Sequence, residues 1–514
     1  MRIRQRLLLL VAVQLILLSN VGSAQNAIHP VIPGDFADPS IIHANNQYYA
    51  IGTSSEWAPH FPIYTSLDLI NWKQTGYLFD KAPAWTMGSF WAPEYDYHDG
   101  TYYIYYTARR KQDQISCIGV ATSKYPDKGF VDHGVIIDHG KEAIDAFVFH
   151  DNGIRYMTYK AYGLDDRPIE ILGVKLSKDG LRADGEPFSM LKDDQRKGLE
   201  GQSILKKGNY YYLFYSAGNC CGIQCDYNVS VARSKSFEGP YEKYAGNPLL
   251  AENASWKCSG HGTFAEAANG KLYYLYHAYN KQTALFSGRQ GMLAELLWPG
   301  QNAWPLLTEQ SGPDVNQDVK LSFKDSTIDL GWQWDFRNSV PLVSQHAEKL
   351  HLSGQINEDN LAGIALTRRP VSSVFEAITT VVNSNNALKG LTYYGDATAA
   401  VGVGVIGNTV QLWSVRNKAH KILASAHLPT HEQVELKLKT TADLRIRAFF
   451  KQGNQEWKEL KVTEEVKIES LTQWDRSPRI GLHFKGKPAE EAAFSLFELK
   501  YTYLNRIKKS WSPK

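Results

Sequence analysis

One phrase recurs five times in the first three hundred residues: NQYYAIGTS at 46, GTYYIYYTA at 100, GIRYMTYKA at 153, GNYYYLFYSA at 208 and GKLYYLYHA at 270. Each copy is a turn residue followed by an aromatic strand, and the starts lie 54, 53, 55 and 62 residues apart. Strand units repeated at so regular a period bury a face only against their neighbours, which is the sequence pattern of propeller blades. Five copies predict an all-β chain that opens with a five-bladed β-propeller over residues 28–310.

A partner strand precedes each phrase: ADPSIIHA, WAPEYDYH, IDAFVFHD, EGQSILKK and HGTFAEAA. Counting back eleven residues from Tyr49, Tyr103, Tyr156, Tyr211 and Tyr273 reaches Asp38, Ala92, Asp145, Glu200 and Gly262, with His261 beside the last. A one-residue ambiguity remains in aligning the last two blades. The first strand of a blade borders the central channel, so equivalent positions ring one axis and Asp38, Asp145 and Glu200 are expected to converge. Any one of them alone reads as a turn-capping or solvated acid; three at one phase of a repeat do not. Carboxyls gathered in a low-dielectric cleft separate in pKa, giving one able to donate a proton and one able to accept it. Glycoside hydrolysis uses such a pair, an acid that protonates the departing oxygen and a base that activates water.

The motifs ADPS at 37–40, WAPE at 91–94, IDAFVF at 144–149, LEGQSI at 199–204 and GHG at 260–262, in this order on a five-fold repeat, resemble glycoside hydrolase family 43. The resemblance implies that Asp38 is the general base, Glu200 the general acid, and Asp145 the acid that orients the donor and tunes its pKa. One departure is LEGQ where the family often has EGP, which alters the turn after the acid and leaves the acid in place. Trp91 is expected to wall the sugar site, Arg289 in SGRQG to reach the base and a substrate hydroxyl, and Phe36 and Phe147 to line the pocket beside two of the acids. His261 matches a channel histidine that in some members holds a calcium ion through water, so a structural calcium is the one metal the resemblance suggests; the chemistry requires no cofactor. Glu94, two residues beyond the channel phase, reads as structural, and Asp96, Asp99, Asp151, Asp165 and Asp166 read as surface residues in turn-rich text. SLDLINWK at 66–73 resembles an outer-strand signature of sugar-active propellers.

After Pro305 the aromatic phrase stops, and TEQSGPDVNQD at 308–318 has linker composition. Alternating strands follow, FEAITTVV, AAVGVGVI, TVQLWSV, VELKLKTT, LRIRAFF and FSLFELKYTYL, which predict a β-sandwich over 320–505. GWQWDFRNS, LTRRPVSSVFEA and LKGLTYYGD resemble the concanavalin-like jelly-roll domain that accompanies many family 43 β-xylosidases and α-L-arabinofuranosidases. In such relatives a sandwich loop closes one side of the pocket, which implies exo action.

At the N-terminus, Arg2, Arg4 and Arg6 precede the apolar run LLLLVAVQLILL and a small-residue site ending at Ala24. This is the pattern of a secretory signal over 1–24, too short for a stable span and with no nearby cysteine for a lipid anchor, so an exported periplasmic or extracellular protein is expected. A net charge of +3 with both signs interspersed gives no footprint for nucleic acid. In an exported chain GNCCGIQC can bridge internally or to Cys258; a zinc site lacks its paired spacing, and Cys117 reads as a buried free thiol. The expected partners are arabinose- or xylose-containing plant glycans. The expected activity is that of an α-L-arabinofuranosidase, with β-xylosidase or β-galactofuranosidase as alternatives and a non-catalytic carbohydrate-binding propeller as a different class. The WMNDPN-like opening of sucrose-type five-bladed enzymes is absent.

Overall fold

The hairpins at the start of the first three repeats show why the phrase folds as it does. Asn45–Asn46, Asp99–Gly100 and Asn152–Gly153 all take positive φ at both residues, the two-residue turn whose twist matches that of the flanking strands. The aromatic run after each turn then pairs antiparallel with the strand before it, as in Ile42↔Tyr49 and Tyr95↔Ile104. The computed structural model describes residues 27–162, 168–193, 197–283, 286–463, 465–471 and 474–502; the signal segment expected over 1–24 and Asp165 and Asp166 lie outside them.

Five four-stranded meanders follow in chain order. Blade I is Ser40–Ala44, Gln47–Ile51, His60–Ser66 and Lys73–Phe79; blade II is Thr86–His98, Thr101–Arg110, Ser116–Ser123 and Val131–Ile137. Blade III is Glu142–Asp151, Ile154–Tyr162, Ile169–Lys175 and Phe188–Asp193; blade IV is Leu199–Lys207, Tyr210–Ala217, Asn228–Ser234 and Glu242–Lys243. Blade V, Trp256–Glu266, Leu272–Asn280, Arg289–Leu297 and Leu306–Gln310, packs on blade I through Ile32, Phe36, Ile41, Leu275 and Leu293, so the ring closes. The first residues of the linker-like stretch at 308–318 belong to this last strand, because Leu293–Leu297 offers them a paired edge. SLDLINWK is the turn into the outer strand of blade I, with Ser66 and Asp68 accepting the N–H groups of Leu69, Ile70 and Asn71.

Two further sheets face each other over one apolar core. One holds Val319–Leu321, Ser339–His346, Lys349–Ile356, Phe375–Val382, Val434–Thr440, Ile446–Lys451, Lys458–Glu459 and Ala492–Tyr501. The other holds Ile364–Arg368, Leu388–Asp396, Ala399–Ile406, Thr409–Arg416, Ala419–His427 and Arg479–Lys485. Phe375–Val382 alternates buried and half-buried residues along its whole length, the period-two pattern of a strand with one face in the core. Leu352, Phe375, Leu391, Val403, Leu436 and Phe497 fill the space between the sheets. The sandwich docks on blade I: Trp334–Asp335 pairs with Trp57–Ala58, Tyr77 donates to the Leu330 carbonyl at 2.6 Å, and the Arg479 guanidinium lies 4.3 Å over the Trp57 ring. Asp96 corrects a surface expectation, since it is buried between His150 (2.7 Å) and Arg155 (3.3 Å). Asp99 is solvated, and Asp151 pairs with Lys206 at 2.9 Å.

Candidate active site

In four blades, the innermost strand is interrupted by a bulge at the channel. The ladder breaks between Trp91 and Glu94, Ile144 and Phe147, Glu200 and Ser203, and Gly260 and Thr263. The first bulged residue takes left-handed φ in each: Ala92 43°, Asp145 59°, Gly201 58° and His261 44°, with Asp38 at 50° just ahead of the first strand of blade I. These five are the true equivalents. His261 therefore holds the fifth place, and Glu200 stands one residue before its blade's bulge, in register with Trp91, Ile144 and Gly260. A regular strand would send Glu200 and the bulge residue to opposite faces; the extra residue breaks the alternation. Both phases thus reach one cavity of about 260 Å³, lined by Asp38, Trp91, Ile144, Asp145, Glu200 and His261 among others. Gly201 is required at its place, because a Cβ there would sit 2.7 Å from the His261 ring.

A second ring of polar side chains supports the first. The penultimate residue of each repeated phrase is Thr53, Thr107, Lys160, Ser216 or His277. Each accepts or replaces a bond to the bulge of the next blade. Thr53 Oγ1 accepts the Ala92 N–H (2.9 Å), Thr107 Oγ1 that of Asp145 (3.2 Å), Ser216 Oγ that of His261 (2.7 Å) and His277 Nδ1 that of Asp38 (3.0 Å). The contact to the bulge of blade IV differs, because an ammonium has no lone pair to offer. Lys160 instead reaches Glu200 Oε2 at 2.7 Å and Glu142 at 3.6 Å, and the Gly201 N–H turns to Asp145 Oδ2 at 3.1 Å. Gln202, the residue that departs from EGP, donates to the Asp145 carbonyl at 2.5 Å and so locks the same turn.

The three acids occupy unlike electrostatic environments. Burial alone would raise the pKa of Asp38, but the Arg289 guanidinium (3.1 and 3.3 Å to its two oxygens), His261 (3.4 Å) and the Thr53 hydroxyl (2.7 Å) hold it well below the usual carboxylate range. Burial raises Asp145 to about 7 against the pull of His261, with the charge of Glu200 adding to the rise. Glu200 is buried too, yet the Lys160 ammonium and the Tyr227 hydroxyl (3.1 Å to Oε1) lower it. The two carboxyls therefore shift in opposite directions, Asp145 toward the protonated form and Glu200 toward the anion.

Trp91 stands on the pocket wall and donates from Nε1 to Asp475 Oδ2 at 3.0 Å; Arg289, which is buried, also donates to the Asp475 carbonyl at 3.0 Å. Asp475 and Trp474 come from the sandwich, so that domain supplies one side of the cavity. The two phenylalanines are corrections. Phe36 is fully buried between blades V and I, edge-on to Tyr64 at 5.1 Å, because the strand it precedes turns its ring away from the channel. Phe147 lies just past the bulge of blade III and packs toward the core shared with blade IV. Glu94 is buried as expected of a structural residue, and burial pushes its carboxyl well up. Calcium takes six to eight oxygens, whereas His261 Nδ1 faces Asp38 and Asp145, and among the described residues no group of three or more His, Cys, Asp or Glu is disposed to hold a metal. These residues offer no direct ligand set, so a calcium ion beside His261 would be held through water.

A family model described as "Glycosyl hydrolases family 43" matches residues 27–305, more than half of the chain. The chain belongs to this family. The extracellular exo-α-(1→5)-L-arabinofuranosidase ArbA of Cellvibrio japonicus is 30% identical to it over 318 residues, 54% of this chain and 87% of that protein. A β-xylosidase of Bacillus subtilis is 26% identical over 403 residues, 69% of this chain and 73% of the relative. Among solved structures, the xylan β-1,4-xylosidase of Bacillus halodurans superposes with a TM-score of 0.78 at 21% identity, covering 93% of this chain and all of that one (100%). The Bacillus licheniformis protein BlXynB gives 0.77 at 21%, covering 92% and 99%. This likeness establishes the fold, a five-bladed propeller with a C-terminal sandwich, and the family establishes a glycosidase.

Several residues of this family 43 pocket escaped the count of acids: Lys160, Tyr227, His277, Thr53 and the pair Trp474–Asp475. The first four had a signal or a neighbour with one. Lys160, His277 and Thr53 sit at one phase of the repeated phrase, and Tyr227 immediately precedes the strand that pairs beside the phrase in blade IV. His277 is buried and neutral, its pKa pushed well below the ordinary value by burial, and its ring stacks on Tyr227 at 5.8 Å. The cysteines form two disulfides, Cys220–Cys221 and Cys225–Cys258, and Cys117 is the buried free thiol.

Proposed function

We propose that the protein is an exported, inverting, exo-acting α-L-arabinofuranosidase that removes terminal arabinofuranose from plant cell-wall glycans. The observation that carries this reading is the convergence of Asp38, Asp145 and Glu200 on one cavity of about 260 Å³ that Trp474 and Asp475 of the sandwich border. A cavity bounded in that way suits the end of a glycan chain. The exo-arabinofuranosidase relative supports the sugar, and its extracellular site supports export; among the described residues no helix is long and apolar enough to cross a membrane.

In this reading Asp38 stays ionised at every working pH and accepts a proton from the attacking water, while Arg289 holds its orientation. Glu200 protonates the departing oxygen on the opposite face of the sugar. Before substrate binds, the proton that the two acids share in this reading rests on Asp145, since Lys160 holds Glu200 as the anion. With a glycosidic oxygen beside Glu200, that proton must pass to Glu200 before the bond breaks. Proton NMR of the first-formed sugar should show the anomer opposite to that of the substrate; the same anomer would remove Asp38 as water activator. The panel of nitrophenyl arabinofuranoside, xyloside and galactofuranoside should favour the first. The β-xylosidase reading rests on the relative whose match extends into the sandwich, and faster turnover of the xyloside would install it. No turnover of any of the three would leave the binding propeller.

The shared proton also sets the pH profile. Because Asp145 is raised to about 7, kcat/KM should fall as pH rises through 7, where the pair loses its one proton. Lys160 favours the charged form of its neighbour, so removing its ammonium raises the pKa of the pair. Lys160→Met should therefore move the alkaline limb upward by roughly one unit or more. A limb that stays in place, with kcat alone reduced, would show Lys160 to act only in packing.

A further inference from the structure

The segment from Gly218 to Tyr227 leaves the pocket's fourth blade immediately after Ala217 and returns at the tyrosine that holds Glu200. Its two ends are tied by the Asn219 N–H to Asp226 Oδ1 bond at 2.7 Å. A disulfide from Cys225 to Cys258 fastens it to the innermost strand of blade V, three residues before His261. A Cβ on Gly222 would lie 3.4 Å from Trp474, so the sandwich meets the same segment. Cys220 and Cys221, joined to each other, are on the wall of the cavity that holds the acids.

A disulfide stabilises a fold by closing a loop of chain. One between adjacent residues closes none, and Cys225–Cys258 already secures the segment. What the adjacent pair does offer is a surface. The two half-cystines and the peptide between them make one covalent ring with no side-chain torsion free to be ordered, so contact with it costs little conformational entropy. Sulfur is soft and polarizable, and sugar rings present a face of C–H groups to such surfaces.

The side of the pocket follows from strand register. Glu200 pairs with Ser216 and Leu199 with Ala217, and Tyr227 donates to Glu200, so the segment carrying the pair emerges beside Glu200. A general acid stands next to the leaving oxygen. Beyond Gly198 and Gly218 the cavity adjoins a second one of about 540 Å³ bordered by Asp193, Asn219, Asp226 and Asn228, polar groups suited to sugar hydroxyls. We propose that the Cys220–Cys221 pair is a sugar-binding wall on the leaving-group side of the pocket, taking the apolar face of the saccharide unit that departs. The proposal rests on Glu200 being the general acid of the glycosidase reading.

The test compares two substrates of the sugar the protein cleaves, a trisaccharide and the glycosyl fluoride, whose departing atom reaches no wall. Non-reducing peptide mapping should first find Cys220 linked to Cys221 within one peptide; a link from either to Cys225 or Cys258 overturns the proposal. In Cys220→Ser/Cys221→Ser the ratio of kcat/KM for trisaccharide over fluoride should fall about tenfold, the scale of one apolar contact, with the change in KM. Equal losses on both substrates would mean a structural role. Should that variant not fold, Cys225→Ser/Cys258→Ser leaves the adjacent pair as the one reducible bond, and a phosphine reductant should lower the same ratio, with recovery on reoxidation. An unmoved ratio overturns the wall. Wild-type protein that turns over neither substrate would instead sink the glycosidase reading on which the proposal stands.

Discussion

Glu200→Gln should lower kcat/KM for a trisaccharide or a methyl glycoside by about 10²–10⁴-fold, the range of general acid catalysis, and for a dinitrophenyl glycoside by far less. The amide keeps the size of the side chain; its oxygen can accept from Lys160, which contacts Oε2 at 2.7 Å, and its NH2 can donate to the Tyr227 hydroxyl, which contacts Oε1 at 3.1 Å, so the pocket keeps its shape. What is lost is the proton. A sugar alkoxide is a poor leaving group and needs one; dinitrophenolate leaves unaided. A loss that grows with the pKa of the leaving group therefore identifies the acid. Equal losses across the series would move Glu200 to a binding role, and near wild-type turnover of the methyl glycoside would take it out of the reaction.

The leaving-group test is needed because proximity and role are separate matters in this pocket. The aromatic repeat made the propeller legible, since a turn pair and a strand recur with each blade. It also located Asp38 and Asp145, which sit at the same bulge phase. Glu200 was reached by counting from Tyr211, one residue short of the true equivalent: eleven residues before Tyr212 lies Gly201, whose φ of 58° matches the other bulges. The count found the right acid because a bulge brings two successive residues to the channel, a departure from alternation that no period-two pattern displays. The supporting ring was written in the same phrases at Thr53, Thr107, Lys160, Ser216 and His277, where a polar residue interrupts each aromatic strand. Phe36 and Phe147 were misplaced because closeness to an acid in sequence says little about which face a side chain takes around a bulge. The closing wall was not legible at all. Trp91 and Asp475 meet across 384 residues, and the text around Trp474 carries no repeat or turn signal that links it to a channel in another domain.

Asp38→Asn should also reduce kcat/KM by about 10²–10⁴-fold, but by the same factor for every leaving group, because the group removed acts on water. Two further consequences separate it from Glu200→Gln. Arg289 is buried and donates to both Asp38 oxygens, and leaving a buried cation without its anion costs up to about 3–5 kcal/mol, so the variant should melt below wild type while Glu200→Gln, which keeps its neighbours hydrogen-bonded, loses less. The residual activity should carry a shifted pH profile as well. The negative charge of Asp38 raises Asp145; without it the proton shared with Glu200 is released more readily, and the alkaline limb moves below its wild-type position near 7, opposite in sign to the shift in Lys160→Met. A limb that moved upward in both variants would mean that the titrating group is not the Asp145–Glu200 pair, and a loss that followed leaving-group pKa would exchange the roles given to Asp38 and Glu200.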